Sequence, residues 1–327
     1  MLICRTPFRL SFYGGGLDYP EWYLNNSCRV LTASLGYYCY QTVRMLPPFF
    51  EHKFRAAYST IETVKSINEI KHPSIRECIK YYCPDKSLEI THVGDLPARS
   101  GIGSSSSFTV GLVNSFNALN GKILSKRNLA LEAIKIEQEY IQEPVGFQDQ
   151  CAAAFGGFTL IDADSNGIRP RKFIARKEYM DYIMDGLLLG FNGTHRFSGT
   201  AAKKTSSSIK SSKYDHLLKE LSDLSLSGIT AFSNEADLNH HAAITAEARN
   251  IKKVLNGDND SSDINDLIEC TEKAGSLCTR VMGAGGGGFV LCWSPKHLHQ
   301  KIKESVRFKT WVDVKLSPNG SEIIYYE

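Results

Sequence analysis

Two glycines, four serines and an aromatic residue follow one another in Gly101-Ile102-Gly103-Ser104-Ser105-Ser106-Ser107-Phe108. Apolar residues before this stretch, from Leu88 to Val93, have the spacing of a short strand, and those after it, from Phe108 to Leu119, recur at helical spacing. The serine loop, residues 101–107, is therefore predicted to open a helix. Glycines let the backbone curl around a ligand, and the free N–H groups of a first helical turn attract phosphate oxygens. The pattern predicts an anion-binding loop, in which a serine hydroxyl could also hold a metal ion.

A flexible glycine and serine linker is the alternative interpretation of the serine loop. A linker does not explain why an amphipathic helix follows directly. A phosphate loop of the Walker type would end in Gly-Lys-Ser or Gly-Lys-Thr, and no lysine is present in the loop. The sequence therefore argues against that type.

The bulk composition is that of an ordinary globular protein. Of 327 residues, 42% are apolar and 22% are charged, and 38 basic against 35 acidic residues leave a net charge of +3. This balance gives no reason to expect nucleic acid or a membrane surface as a partner, so we expect a small substrate. Nine scattered cysteines without a C-x-x-C pair predict reduced thiols. Without a signal segment or an apolar run of about 20 residues, a cytoplasmic location is expected.

A second glycine cluster ends an N-terminal strand. Arg9 and Ser11 belong to the strand pattern, and Gly14-Gly15-Gly16 leads to Asp18. Because a strand end with glycines can bring backbone and charges close to a ligand, this segment is predicted to bind the substrate. A plain glycine turn with a solvated aspartate is the alternative.

Two acidic residues of the first half are candidates for chemistry. Glu137 lies on the apolar face of a predicted helix over residues 125–142, where a carboxylate is costly unless it is paired or binds a metal. An edge glutamate paired with a basic side chain is the alternative. Asp149 begins a run of small residues, where it is either a helix N-cap or a charge placed beside a substrate.

The second half of the chain is predicted to begin between residues 165 and 185. It carries Arg196 and a basic, serine-rich stretch, residues 203–213. That stretch is either a solvated face or, through Arg196 and Lys203, a source of cations for an anionic substrate group.

A third glycine cluster, Gly283-Ala284-Gly285-Gly286-Gly287-Gly288, follows helices predicted over residues 214–235, 237–255 and 263–281. It contains G-x-G-x-x-G between a helix and a strand, which is the reverse of the dinucleotide-binding order. The cluster predicts instead a backbone loop that approaches another loop or a ligand closely.

Three segments together resemble the motifs of the GHMP kinase superfamily, which includes galactokinases, homoserine kinases, mevalonate kinases and phosphomevalonate kinases. The segments are residues 6–19, 97–107 and 283–288, in the order and spacing of that family. The resemblance covers the whole chain. It implies an α+β fold with a ribosomal-S5-like, ATP-binding domain over residues 1–175 and a ferredoxin-like domain over residues 176–327, with the site in the cleft between them.

The resemblance also implies a role for each candidate residue. Gly101 to Ser107 would wrap the phosphates of ATP, and Ser105 and Glu137 would bind Mg²⁺. Asp149 would face the accepting hydroxyl group, and Arg9 would orient it. The substrate would contact Ser11, Gly14, Gly15, Gly16, Asp18, Arg196, Lys203, Gly285 and Gly286.

The first motif departs from galactokinases, which carry Glu-His where this chain has Gly15-Gly16. The missing side chains imply a bulkier sugar, for which Arg196 and Lys203 would bind a phosphate. The run of this motif looks most like that of D-glycero-D-manno-heptose 7-phosphate kinases, which phosphorylate the anomeric hydroxyl to give the 1,7-bisphosphate for GDP-heptose and surface polysaccharide synthesis. L-fucokinase domains have a similar motif and are the alternative within the class. A non-catalytic binding protein with the GHMP fold is the alternative outside it.

Overall fold

Two long strands at the start of the chain form the centre of the fold. In the computed structural model, which describes residues 1–194, 198–211, 213–256, 261–283, 285 and 287–327, the first strand pairs antiparallel with the second, with Leu10 opposite Ala33. Because successive side chains of a strand point to opposite faces, Val30 enters one apolar cluster and Leu31 enters another. The sheet is therefore covered on both faces.

The described residues form two sheets. Their strands are β1 (Leu2–Tyr13), β2 (Cys28–Met45), β3 (Phe54–Ala57), β4 (Ile61–Val64), β5 (Leu88–Gly94), β6 (Phe158–Asp164), β7 (Gly167–Lys172), β8 (Leu187–Phe191), β9 (Cys278–Val281), β10 (Phe289–Trp293), β11 (Thr310–Val312) and β12 (Glu322–Tyr326). The larger sheet has the order β12-β1-β2-β5-β3-β4, with β6 paired to β2 and β7 to β6. The smaller sheet has the order β11-β8-β10-β9.

Helices cover the sheets. They are α1 (Pro20–Tyr23), α2 (Pro73–Tyr82), α3 (Ser104–Leu119), α4 (Lys126–Lys135), α5 (Gln148–Phe155), α6 (Lys177–Asp185), α7 (Ser198–Lys210), α8 (Asp215–Ser233), α9 (Leu238–Asn256), α10 (Ser262–Ala274) and α11 (His299–Ser305). Helix α4 continues into a π-helical turn, Ile136–Tyr140, and short 3₁₀ turns lie at Ile67–Glu69 and Lys296–Leu298. Buried residues of α3, such as Val110 and Phe116, pack in the same cluster as Val30. This mixture of helix and sheet confirms the predicted α+β class.

The last strand of the chain returns to the first sheet. β12 pairs antiparallel with β1, with Leu2 opposite Tyr326. The predicted division of the chain at residue 175 stays a prediction, and the larger sheet takes one strand from beyond it.

The helix predicted over residues 263–281 was wrong at its end. Helix α10 stops at Ala274, and Gly275, with a φ of +125°, follows it. Residues 278–281 form β9, which pairs with β10. The spacing of Cys278 and Val281 fits a helix as well as a strand, but a glycine with positive φ ends helices. The third glycine cluster therefore joins two strands and does not follow a helix.

The cysteines agree with the predicted reduced thiols. All nine lie in described parts of the chain and are free, and all are buried except Cys270. Across the described residues, no helix is both long enough and apolar enough to span a membrane.

Candidate active site

The serine loop leads directly into helix α3, as predicted. Gly103 is the N-cap and has a left-handed φ of +72°, and Gly101 has a φ of +86°. The N–H of Ser107 closes the first helical turn on the carbonyl of Gly103, so the N–H groups of the preceding serines have no partner within the helix. A backbone hydrogen bond joins the loop to β1, because the carbonyl of Ile102 accepts the N–H of Arg9 at 3.0 Å.

The third glycine cluster packs against the serine loop, which confirms the predicted close approach of two backbones. A Cβ atom at Gly288 would lie 2.3 Å from the carbonyl oxygen of Ser100, and one at Gly283 would lie 3.0 Å from the Cα of Gly101. The N–H of Phe289 also donates to the carbonyl of Ser100 at 2.9 Å. Only glycine allows this approach, and it fixes the serine loop against the smaller sheet.

We expect Gly101→Ala to raise the Kd for ATP roughly tenfold or more, which corresponds to a loss of about 1.4 kcal/mol in binding free energy. The new Cβ would lie 2.5 Å from the carbonyl oxygen of Met282, and the φ of +86° is strained for alanine. Gly121→Ala is the matched control, because its φ is +71° but nothing lies within 4 Å. Nucleotide titration and urea unfolding of both variants measure the difference, and equal losses would contradict a role for the loop contact.

Arg9 and Asp149 form a two-bonded ion pair beside the serine loop. Arg9 Nε donates to Asp149 Oδ1 at 2.5 Å and its Nη2 to Oδ2 at 3.2 Å, while Nη1 donates to the carbonyl of Gly101 at 2.7 Å. A Cβ added at Gly103 would lie 2.8 Å from Arg9 Cγ and 2.9 Å from Asp149 Oδ2. Asp149 is in the first turn of α5, whose N-cap is Phe147, so it is not the N-cap. The ion pair and the anion-binding loop are direct neighbours.

Asp18 and Ser11 are connected to the Arg9–Asp149 pair through Gln148 of α5. Asp18 is buried, and its carboxylate accepts the backbone N–H groups of Gly16 at 2.8 Å and Gln148 at 3.3 Å. Burial, with the negative charge of Asp149, raises the pKa of Asp18 although these N–H groups oppose the shift. Ser11 Oγ donates to Gln148 Oε1 at 2.9 Å. Asp18 is therefore bound by backbone and is not a solvated residue of a plain turn.

The three glycines of the first cluster differ in their surroundings. A Cβ at Gly14 would lie 2.4 Å from the carbonyl oxygen of Arg29, so Gly14 packs on protein backbone. One at Gly15 would lie 3.0 Å from Ser11 Oγ and 3.1 Å from Gln148 Oε1, so Gly15 faces polar groups of the site. Gly16 is more open, with its nearest neighbour at 3.8 Å.

Glu137 is buried in the π-helical turn behind the serine loop, as its place on the apolar face predicted. Its Oε2 accepts hydrogen bonds from Ser106 Oγ, at 3.0 Å, and from Gln150 Nε2. Its Oε1 and the Oε1 of Gln150 are buried without a hydrogen-bond partner. Burial raises the pKa of Glu137 to about 7. Two orphaned acceptor oxygens next to a hydroxyl group fit a bound cation.

The serine that contacts Glu137 is Ser106, whereas the resemblance to GHMP kinases implied Ser105 as its partner on a metal ion. Ser105 is exposed, and the contact we see from it is made by its carbonyl, which accepts from Thr109. The metal role of Ser105 stays a prediction. Of the other predicted substrate ligands, Lys203 is exposed on α7 and Gly285 lies in the third glycine cluster, while Arg196 and Gly286 lie outside the described residues.

The structure adds two cations that sequence reasoning missed. Lys252 of α9 places its Nζ 3.6 Å from a Cβ added at Gly15, and Arg280 of β9 donates to the carbonyl of Ser11. Arg280 could have been noticed as a charge in an apolar strand just before the third glycine cluster, but the helix prediction placed it elsewhere. Lys252 carries no such signal, because lysines are common on helix surfaces.

Comparisons with known proteins agree with this geometry. Residues 68–157 match the family model described as GHMP kinases N terminal domain. A D-glycero-alpha-D-manno-heptose 7-phosphate kinase of Campylobacter jejuni is 23% identical over 299 residues, which cover 88% of this chain and 87% of that protein. A bifunctional fucokinase/GDP-fucose pyrophosphorylase of Arabidopsis thaliana is 24% identical over 95% of this chain and 32% of its own length.

A solved structure gives the same fold. It is described as a D-glycero-D-manno-heptose 1-phosphate kinase from Bacteroides thetaiotaomicron, and it superimposes with a TM-score of 0.73 at 20% identity over the full length of both chains. Residues 68–157 are therefore similar to a GHMP kinase N-terminal domain, and the whole chain has the fold of that solved structure. The similarity to kinases supports an ATP-dependent kinase.

Proposed function

We propose that this kinase transfers the γ-phosphate of ATP to the anomeric hydroxyl group of D-glycero-D-manno-heptose 7-phosphate, which gives the 1,7-bisphosphate for GDP-heptose and surface polysaccharide synthesis. A sugar kinase is what the relatives support directly. The observation that carries the proposed chemistry is the contact of the Arg9–Asp149 pair with Gly103. An acceptor hydroxyl at Asp149 would lie next to phosphates held by the serine loop.

Asp149 and Arg9 would act on the accepting hydroxyl group. Asp149 accepts its hydrogen bond and takes its proton as the bond between the anomeric oxygen and the γ-phosphorus forms. The bond from the γ-phosphorus to the β,γ-bridging oxygen breaks, and ADP leaves with that electron pair. Arg9 fixes both oxygens of Asp149. A loose transition state asks mainly for positioning and charge neutralisation, so a carboxylate paired with an arginine suits the step.

Glu137 and Ser106 would hold a Mg²⁺ ion, with Ser105 as the further ligand that the resemblance implies. Within the described residues no group of three or more His, Cys, Asp or Glu side chains could hold a metal by itself, and Mg²⁺ commonly binds one or two carboxylates together with substrate phosphates. When bound, the ion would neutralise charge on the β- and γ-phosphates. Glu137 would supply the negative charge, and Gln150 would orient it through its amide.

The acceptor would lie between the halves of the chain that we divide at residue 175. Ser11, Gly15, Gly16 and Asp18 are its proposed ligands, and Arg196, Lys203, Gly285 and Gly286 stay predictions. The names of the two heptose kinases differ in the position of the phosphate, so the product must be tested directly. L-fucokinase is the alternative that the Arabidopsis relative supports.

We expect D-glycero-D-manno-heptose 7-phosphate to be phosphorylated with a kcat/KM at least about 10²-fold above that of L-fucose, because a site that binds a charged group rejects an analogue without it. Coupled ATP consumption with Mg²⁺ measures the rates, and phosphorus NMR identifies the position of the new phosphate. Faster turnover of L-fucose would reject the heptose assignment. No turnover of any sugar by folded, ATP-binding protein would favour the binding protein.

A further inference from the structure

Two cationic side chains from separate elements converge beside Gly15. Lys252 Nζ lies 3.6 Å, and Ser11 Oγ 3.0 Å, from the position that a Cβ would take at Gly15. Arg280 is 9% exposed and donates from its guanidinium group to the carbonyl oxygen of Ser11. Because α9 and β9 bring these side chains to one strand end, the two cations share one side of the site.

Neither cation has an acidic partner in the part of the chain that the structure describes. Lys252 Nζ makes no hydrogen bond or ion pair there, and Nε of Arg280 is buried without a hydrogen-bond partner. The carboxylates of this region are engaged elsewhere. Asp149 is paired with Arg9, and Asp18 accepts backbone N–H groups. Asp18 is near enough to attract Lys252 but forms no ion pair with it, so the positive charge beside Gly15 is only partly compensated.

Unpaired cations in a buried place are unfavourable until an anion joins them. Burial and the charge of Arg280 lower the pKa of Lys252 to about 7, and burial lowers the pKa of Arg280 to about 10. A phosphate monoester offers three acceptor oxygens and close to two negative charges, which suit an ammonium group and a guanidinium group together. This is the ligand chemistry that the pair fits.

We propose that Lys252 and Arg280 bind the phosphate group of a phosphorylated sugar, in place of Arg196 and Lys203; this assignment rests on the proposed sugar kinase function. Gln148 lies between the two cations beside Gly15 and the proposed catalytic residue Asp149. Its Oε1 lies 3.1 Å from the Cβ position at Gly15, and its Nε2 donates to Asp149 Oδ1 at 3.3 Å. In this assignment the phosphate lies beside Gly15 and the accepting hydroxyl lies beside Asp149, so the two groups belong to different ends of the sugar.

Lys252→Met tests the assignment, with Lys253→Met as the matched control because Lys253 Nζ donates instead to Asn265 at 2.9 Å. Titration calorimetry with a non-hydrolysable ATP analogue compares D-glycero-D-manno-heptose 7-phosphate and D-mannose 6-phosphate with their unphosphorylated parents. For Lys252→Met we expect the Kd of both phosphorylated sugars to rise about 10–100-fold, the effect of losing a charge-assisted hydrogen bond. The Kd of the parents and of the nucleotide should stay within about twofold, and methionine should preserve the fold because it keeps an aliphatic chain.

The outcomes separate this assignment from the proposed function. Equal weakening of phosphorylated and parent sugars, an equal effect of Lys253→Met, or a wild-type protein that binds no phosphorylated sugar overturns the phosphate site. Binding of D-mannose 6-phosphate that depends on Lys252, without turnover of the heptose phosphate, supports the site while the heptose assignment fails. Normal KM for the heptose phosphate in Lys252→Met rejects the site and leaves the kinase function intact.

Discussion

Replacing Asp149 with asparagine is expected to lower kcat about 10²–10⁴-fold, the usual contribution of a positioned acid or base. Asparagine keeps the size of the side chain but removes the negative charge, whose two oxygens accept hydrogen bonds from Arg9. It also presents an amide to the accepting hydroxyl group, which cannot take its proton. We expect the serine loop to keep its conformation, because Arg9 can still donate to the carbonyl groups of Gly101 and Ile102. ATP binding should therefore remain within about twofold of wild type.

Single-turnover measurements with heptose 7-phosphate and nucleotide titrations separate the two effects. Asp162→Asn is the matched control, since Asp162 is also held by arginines, with Arg29 Nε at 2.6 Å and Arg171 Nη2 at 3.1 Å, but lies on β6 in the larger sheet. It should leave kcat unchanged. Near-normal turnover of Asp149→Asn would exclude Asp149 from the chemical step, and equal loss in both variants would point to a structural effect of breaking an arginine pair.

The part of the site that could be predicted from the sequence depends on local signals. The start of α3 could be predicted because glycines, which favour a loop, come directly before apolar residues at helical spacing. The burial of Glu137 follows from the same helical spacing and is confirmed, because its side chain is 1% exposed. The residues that contact its carboxylate could not be predicted from this spacing. A helix turns about 100° per residue, so Ser105 and Ser106 point in different directions, and tertiary packing decides which one meets Glu137.

The part that could not be predicted depends on contacts between distant segments. Lys252 approaches Gly15 only because α9 packs beside the end of β1, and Arg280 reaches Ser11 across the boundary between the two sheets. Helical and strand periodicities describe each element alone and contain no information on such approaches. Arg196 and Lys203 were selected as candidate cations from the composition of their segment, and their role stays a prediction. The structure adds two cations that separate elements bring to the predicted substrate segment.

Glu137→Gln is expected to stabilise the metal-free protein by an amount that grows as pH rises. In the metal-free protein, burial raises the pKa of Glu137 from 4.5 to about 7. Below pH 4.5 the carboxyl group is protonated in both states. Between the two values the unfolded chain releases the proton while the folded protein keeps it, so the free energy of unfolding falls as pH rises and levels off above pH 7. At about 1.4 kcal/mol per pKa unit the total fall is about 3 kcal/mol.

Glutamine cannot ionise, so the variant should lack this fall. It should match wild type near pH 4.5 and exceed it by up to about 3 kcal/mol above pH 7, measured by urea unfolding with a chelator present. Glu62→Gln is a control of opposite sign. Burial alone would raise the pKa of Glu62, but hydrogen bonds from Tyr58 and two backbone N–H groups outweigh it and lower that pKa, so glutamine there should destabilise the protein at neutral pH.

The same variant should lose its response to Mg²⁺ and ATP. In wild type a bound cation would favour the ionised carboxylate of Glu137, so adding both ligands at pH 8 should restore the stability that ionisation removes. Glu137→Gln starts more stable but has no charge to offer the ion, so its thermal shift with Mg²⁺ and ATP should be smaller and its Mg²⁺ requirement for turnover higher. Parallel pH curves for the two proteins would show that Glu137 is not a buried acid with a raised pKa. Equal thermal shifts would show that it is not a metal ligand. A carboxylate that costs stability when free and is compensated when ligands bind is what a nucleotide-dependent metal site requires, and a group kept only for packing would show the first effect without the second.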